Sequence, residues 1–413
     1  MGDILALLEP LTLARQLLLW TSSVDEDSDE VSQWSFWGYD YAAQRGVGNY
    51  YAMNDGTLFD VLLSYLRVSG DTPFLNTSYL VGPFANGSFA TTTVAATALG
   101  LATHWRSARY NVSGALADYG EAANLLECVP SYIHRVAGVN AANAYMSNVA
   151  ADVAEHWGAG DAPLAARLRA DADGVAAAVL GLFVAPGEGS GGGGGYFVAR
   201  YPNGTEREVR HVMDYVYVTL FLGVQGSPSP SGKAYVPAAT AAAMAAFVRQ
   251  ELLVPLWMRA LSLNDSAAPL SNRSDHGPSG AYIGWPALTA RSLAAAGAYA
   301  DALAFLEDTL FVATLGPYGQ AVEIRPPGLP YKPMSVTLYN EAVSGSMAQA
   351  VMAVLFGFAP PLALPGVAPP SSPLVDAGAP RGVNGTMSGL AWRGEVWDVV
   401  SGPQGLTLVK ARR

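Results

Sequence analysis

The sequence predicts a mainly α-helical fold in which paired helices form a ring, with one internal β-hairpin and a small C-terminal β element. Three observations carry the prediction. Hydrophobic residues make up 51% of the 413-residue chain. Alanine is prominent among them, which suits close helix–helix packing and high helix propensity. Three stretches then place acids, amides or aromatics directly before apolar, small-residue runs with helical spacing: DYGEAANLLECVPSYIHRVAGVNAANAYM (118–146), GAYIGWPALTARSL (280–293) and LYNEAVSGSMAQAVMAVLFGF (338–358). Finally, only one internal segment alternates in the manner of a hairpin. Polar heads on successive helix starts would give such a ring a polar funnel at one end.

Taken in chain order, 4–20 reads as a helix with Ile4, Leu8, Leu11, Leu18 and Leu19 among its apolar positions. Pro10 moves its start toward Glu9, because proline is tolerated in a first turn and not in an interior. The acidic loop 25–30 lacks the order of a calcium loop and reads as a solvated turn. Residues 33–51 are aromatic and irregular: Trp34, Phe36, Trp37, Tyr39, Tyr41, Tyr50 and Tyr51. Asn54 or Asp55 then caps a helix running through Arg67, which Ser69-Gly70-Asp71 ends. Further helices are predicted over 91–105, 139–157, 162–182, 212–222, 238–256, 285–296, 299–310 and 345–356. The hairpin pairs 196–201 with 206–211 around Pro202-Asn203-Gly204-Thr205. The glycine-rich run 189–195 lacks the Lys-Ser/Thr of a phosphate loop and reads as a linker. Proline-rich 359–380 divides a helical domain, 1–358, from a strand-forming appendage, 381–413.

Composition excludes several function classes. A net charge of −11 argues against a nucleic-acid partner, which needs a basic face. No apolar run is long and uncharged enough to insert in a membrane. The five histidines have no metal-ligand spacing, so neither metal nor cofactor is expected. Ser88, Ser147 and Ser346 lie outside any Gly-x-Ser-x-Gly elbow. Cys128 is the only cysteine, which by itself leans cytoplasmic. Against that, Asn76, Asn86, Asn111, Asn203, Asn264, Asn272 and Asn384 each begin an N-x-Ser/Thr sequon. They are half of the asparagines, where ordinary Ser and Thr usage gives roughly one in eight. The expectation is a glycoprotein of the secretory pathway or extracellular space, although no signal peptide is visible.

The residues that can carry chemistry fall near the predicted helix starts. Asp118, Glu121 and Glu127 precede one helix, and Asn340 and Glu341 precede another. Glycoside hydrolysis needs a protonated acid at the leaving oxygen and a second carboxylate that activates water or attacks carbon. Distant acids on a ring of helices can face one sugar in that way. For Asp118, a helix cap or dipole partner is an equal reading. Trp37, Tyr51 and Trp285 offer faces for a sugar ring, and Asn54 and Asp55 can bond its hydroxyls. Arg210, His211 and Asp214 follow the hairpin and open a helix, with His134-Arg135 a similar pair.

In 5–20 (LALLEPLTLARQLLLW), 46–71 (GVGNYYAMNDGTLFDVLLSYLRVSGD), 121–143, 210–217 and 340–358, the chain resembles the six-hairpin, or (α/α)6-toroid, glycosidase superfamily, which includes trehalases, glucoamylases and processing α-glucosidases. The resemblance covers roughly 2–358. It implies an inverting hydrolase with Glu341 as general base and Asp118 or Glu127 as general acid. The trehalase-like acid string Glu-Ser-Gly-Trp-Asp is absent. Similar proteins carry a further segment before the first helix here, so the resemblance implies that part of the ring and pocket lies upstream. Two other functions compete. A polysaccharide lyase would want a more basic cleft, and a non-catalytic glycan-binding or truncated homologue would keep the aromatics without a complete acid pair.

Overall fold

The computed structural model describes residues 2–22, 38–40, 45–47, 51–84, 86–107, 111–121, 124, 129–187, 195–271, 276–282, 284–313, 342–367, 372 and 383–411. Among them are eleven α-helices: α1 Gly2–Leu8, α2 Pro10–Ser22, α3 Ala52–Ser69, α4 Val94–Thr103, α5 Ala137–His156, α6 Ala162–Leu180, α7 Val212–Leu222, α8 Ala238–Phe247, α9 Trp285–Ala295, α10 Tyr299–Ala313 and α11 Ala342–Phe356. The protein is therefore mainly helical, with several small antiparallel sheets.

Local chemistry sets the helix ends. Thr93 caps α4 by accepting from the Ala96 amide at 3.2 Å, and Asp161 caps α6 by accepting from Leu164 at 2.9 Å. Gly70 stops α3 in the left-handed region (φ 71°), returning its N–H to the Leu66 carbonyl. Pro10 splits the predicted 4–20 helix. The chain bends at Glu9, whose N–H still reaches Leu5 O, and α2 begins with the proline in its first turn.

α5 is buried almost all round because its alanines, glycine and asparagines admit neighbours closely. Gly56 of α3 lies against Ala142, and Tyr145 donates to Asp60 at 3.0 Å. On its other side, the Gly138 amide meets Asp214 of α7, and Tyr145 stacks on Phe221 at 5.0 Å. The paired positions advance together along each chain, so α3, α5 and α7 run in one direction. His211 of the α7 cap meets Trp285 at the start of α9, which continues the pattern. α1 packs on α3, α3 on α5, α5 on α7, α7 on α9, α9 on α11, and α11 on α1. The remaining helices pack behind these neighbours, with α4 on α3 and α5, α6 on α5, and α10 on α9 and α11.

The β structure is richer than the single internal hairpin predicted from sequence. Two-stranded antiparallel sheets pair β1 (Gly38–Asp40) with β2 (Arg45–Val47), β3 (Ser78–Val81) with β4 (Ala90–Thr93), and β5 (Asn111–Ser113) with β6 (Leu116–Asp118). β7 (Phe183–Val184) adds to the expected hairpin of β8 (Tyr196–Arg200) and β9 (Glu206–Val209). β10 (Leu253–Val254) pairs with β11 (Trp257–Met258), where a continuous helix over 238–256 was expected. Pro255 is the reason. It disfavours helical geometry at Val254, so α8 ends through one turn of π-helix and the chain reverses. The other pairings are two to four residues long, too short for alternation to register.

The predicted terminal strands form one antiparallel sheet: β12 (Gly385–Trp392), β13 (Glu395–Gly402) and β14 (Gly405–Lys410). Its Leu390, Val399 and Leu406 enter the apolar cluster of Leu62, Phe74, Leu101 and Val149.

Two glycines test this packing. A Cβ on Gly138 would lie 2.9 Å from the Tyr132 hydroxyl and 3.0 Å from the Met213 carbonyl. Gly138→Ala should cost about 1–3 kcal/mol in urea unfolding. Gly174 faces only ordinary contact at 3.8 Å on exposed α6. Gly174→Ala should instead stabilise by about 0.5–1 kcal/mol.

Candidate functional site

The start of α7 supplies the most unusual carboxyl group among the described residues. His211 caps the helix, and its Nδ1 accepts from the Met213 amide at 3.2 Å. The neutral ring therefore carries its proton on Nε2. Burial, then the neighbouring His276 charge, holds its pKa well below the ordinary imidazole value. Asp214 follows in the first turn, where a helix N-terminus would favour a carboxylate. Burial wins and pushes its pKa up to about 7, against the opposing hydrogen bonds from Gly138 and Tyr132. Oδ1 accepts both bonds, at 2.6 Å from the Gly138 amide and 3.0 Å from the Tyr132 hydroxyl. Oδ2 has no hydrogen-bond partner.

Aromatic rings stand beside this pair. Trp285 meets His211 edge to face at 5.8 Å, His276 at 6.3 Å, and Tyr217 and Tyr282 each at 6.2 Å. Its indole Nε1 has no hydrogen-bond partner. Tyr217, Tyr282 and His276 keep partial exposure. Trp285 and His211 are themselves buried, so the surface open to a pyranose is that of Tyr217, Tyr282 and His276, which offer apolar ring faces and a few polar groups.

The α3 and α5 starts bring a second polar group. Tyr51, rather than Asn54 or Asp55, occupies the α3 cap position, and the Asn54 amide donates to its carbonyl at 2.9 Å. Asp55 lies inside the first turn, buried, and meets His104 Nδ1 at 2.7 Å. Asn143 donates to the Tyr119 hydroxyl at 2.5 Å. Burial raises the Tyr119 pKa, and the charge of Asp55 adds to the effect. Asn140 bonds the Ala117 amide and carbonyl, fixing β6 against α5.

Asp118 ends β6 and caps no helix. Its Oδ1 meets His134 Nδ1 at 2.9 Å and the Gly120 amide at 3.0 Å, and Oδ2 faces Arg135 at 3.5 Å. His134 is held at φ 63°, a region few side-chain-bearing residues enter, and its ring packs on Tyr201 at 4.7 Å. Glu121 is exposed beside this loop. Arg210 does not join the aromatic wall. It pairs with Glu208 and with Glu251 at 2.5 Å, and packs over Tyr196 at 4.8 Å. Trp37, Glu127, Asn340 and Glu341 lie outside the described residues.

His211, Asp214 and Trp285, all selected from sequence, are thus brought together. Tyr132, Tyr217, Tyr282 and His276 were missed. Tyr282 stands in the aromatic head GAYIGW, and Tyr217 lies three residues after Asp214 on one helix face. No group of metal-binding side chains occurs among the described residues. No known protein family matches the chain, and no curated protein matches it in sequence.

Asp214 and His211 oppose each other in pH dependence. The folded Asp214 pKa is about 7, above the ordinary 3.8, so its contribution falls as pH rises between those values. The folded His211 pKa is below the ordinary 6.5, so its contribution is present above 6.5 and is lost on acidification. Asp214→Asn mimics the protonated carboxyl at every pH. Relative to the parent it should gain about 1.4 kcal/mol per pH unit from about 4 to about 7. Chemical denaturation at several pH values measures this, and parallel profiles for the two proteins would refute it.

Proposed function

We propose that the protein is a glycoside hydrolase on an (α/α)6 toroid of helical hairpins. The closed order of neighbours, from α1 through α3, α5, α7, α9 and α11 back to α1, supports that architecture. The observation that carries the function is the gathering of Trp285, Tyr217, Tyr282 and His211 at the starts of α7 and α9, beside the buried carboxyl of Asp214. A carbohydrate ring stacked on that wall would place its rim over polar helix starts.

In this reading Glu341 is the general base. It stands one residue before α11, the helix that packs on α9. Asp118 is spent on His134, Arg135 and Gly120, which suits an anchor for the loop better than a proton donor. Glu127 is therefore the acid we favour. An inverting pair stands about 6.5–9.5 Å apart, leaving room for the attacking water. Glu127 protonates the departing oxygen while Glu341 takes a proton from the water that attacks the anomeric carbon from the opposite face. The six sequon asparagines among the described residues are all exposed, which supports a secretory route.

The commitment of Asp118 also favours a second reading, a non-catalytic glycan-binding protein that keeps the aromatic wall. Turnover separates the two. An aryl-glycoside panel should give a hydrolysed substrate whose first product has the inverted anomeric configuration by proton NMR. Glu341→Gln should lower kcat by about 10²–10⁴-fold with sugar binding nearly unchanged. Sugar binding without turnover in the parent chain would select the glycan-binding reading.

A further inference from the structure

A cavity lies away from the aromatic wall, where α3 and α7 end and α1 begins. It has a volume of about 610 Å³ and is lined by Asp3, Arg67, Arg291 and Gln349, with Thr219 and Ala353 among its other walls. Thr219 is near the end of α7, and Ala353 is near the end of α11. Arg67 closes α3, and Asp3 opens α1. Along α7, His211 and Thr219 are separated by roughly 12 Å of helical rise, with Tyr217 of the aromatic wall between them. It is a separate place on the molecule and does not depend on the hydrolase reading.

Two of its polar groups are unspent. Arg67 is fully committed. It donates to Asp3 at 3.0 Å, Ser64 at 2.9 Å and Tyr145 at 3.3 Å, with Asp60 3.5 Å away. Asp3 is committed as well, because its second oxygen accepts from Gln349 Nε2 at 2.9 Å. Arg291 makes no hydrogen bond or ion pair with a described residue, although its charge helps to lower the Asp3 pKa that burial would raise. Gln349 is only 4% exposed, and its Oε1 accepts no hydrogen bond. A buried amide oxygen without a donor is costly, so an occupant that donates there is favoured.

We infer that this cavity binds a small polyhydroxylated carboxylate, its carboxylate on Arg291 and a hydroxyl donating to Gln349 Oε1. The guanidinium fork has five donors and no acceptor, and it fits a carboxylate in two parallel bonds. The free amide oxygen calls for the opposite partner, a donor. A hydroxy acid has both, whereas a simple fatty acid lacks the hydroxyl and a neutral sugar lacks the anion. The volume lies in the ordinary range for such ligands. The alanine and proline walls leave room for a carbon skeleton between the two polar poles.

The test is isothermal titration of the full chain with D-gluconate, D-glucuronate, D-glucose and acetate. At least one of the two acids should bind, with glucose and acetate each at least about tenfold weaker. Arg291→Gln should weaken the acid by at least about tenfold while its thermal unfolding without ligand stays close to the parent's. Arg291→Lys should recover only part of the affinity, because a point charge lacks the fork. Glu341→Gln should leave this binding unchanged, whatever it does to turnover. Absence of binding by both acids, or equal binding of glucose, overturns the inference. So does an undiminished Arg291→Gln variant, or an acid site that responds to Glu341→Gln.

Discussion

The contact between the Asp214 carboxyl and the Gly138 amide is the constraint on which the site depends. It joins the starts of α5 and α7 at 2.6 Å, with Tyr132 held on the same oxygen. That closeness needs a glycine at 138, and burial raises the Asp214 pKa to about 7, so the carboxyl is mostly neutral only below that pH. A charged carboxylate so deep would cost several kilocalories per mole without a cation, and no described residue supplies one there. Once α5 and α7 are set side by side, His211 falls against Trp285, and the α9 start follows.

Two electrostatic strategies operate along the same helices. At the start of α7 burial disfavours charge: it raises the Asp214 pKa to about 7 and lowers that of His211. Where the end of α3 meets the start of α1, buried groups are ionised and paired, as in Asp3 with Arg67, and Gln349 donates to the same carboxylate. Neutral groups can exchange hydrogen bonds with a neutral carbohydrate at little desolvation cost, whereas ionised pairs fix elements in place. The separation would let the proposed sugar-binding surface and a structural clasp share a short set of helices.

Much of the helical framework was legible in the sequence because long amphipathic or alanine-rich runs have strong local signals. The 212–222 helix is found with those bounds, and the 139–157 helix differs by two residues at its start and one at its end. The illegible parts are non-local. Asp55 reads as a cap until His104, 49 positions away, takes its carboxylate. The partner of Asp118 is likewise set by the fold: His134 turns back in a left-handed conformation to meet its carboxylate. The small sheets escaped for a different reason. Strands such as Ala-Thr-Thr-Thr at 90–93 are polar and four residues long, so they carry neither an apolar face nor a period. Pro255 was the one overlooked local signal, and it alone forecast the end of α8.

The Asp3–Gln349 bond has a kinetic side. Its partners are 346 residues apart, nearly the whole chain. Closing so long a loop carries a conformational penalty before the contact repays it, and such contacts form late. During synthesis α1 emerges long before α11, so its buried carboxylate meets Gln349 only when α11 has left the ribosome. Until then Arg67 is its available anchor, and the sides of α1, α9 and α10 that α11 packs on stay open to solvent. The interval between those two events is when this chain is most exposed to misassembly and most in need of a chaperone.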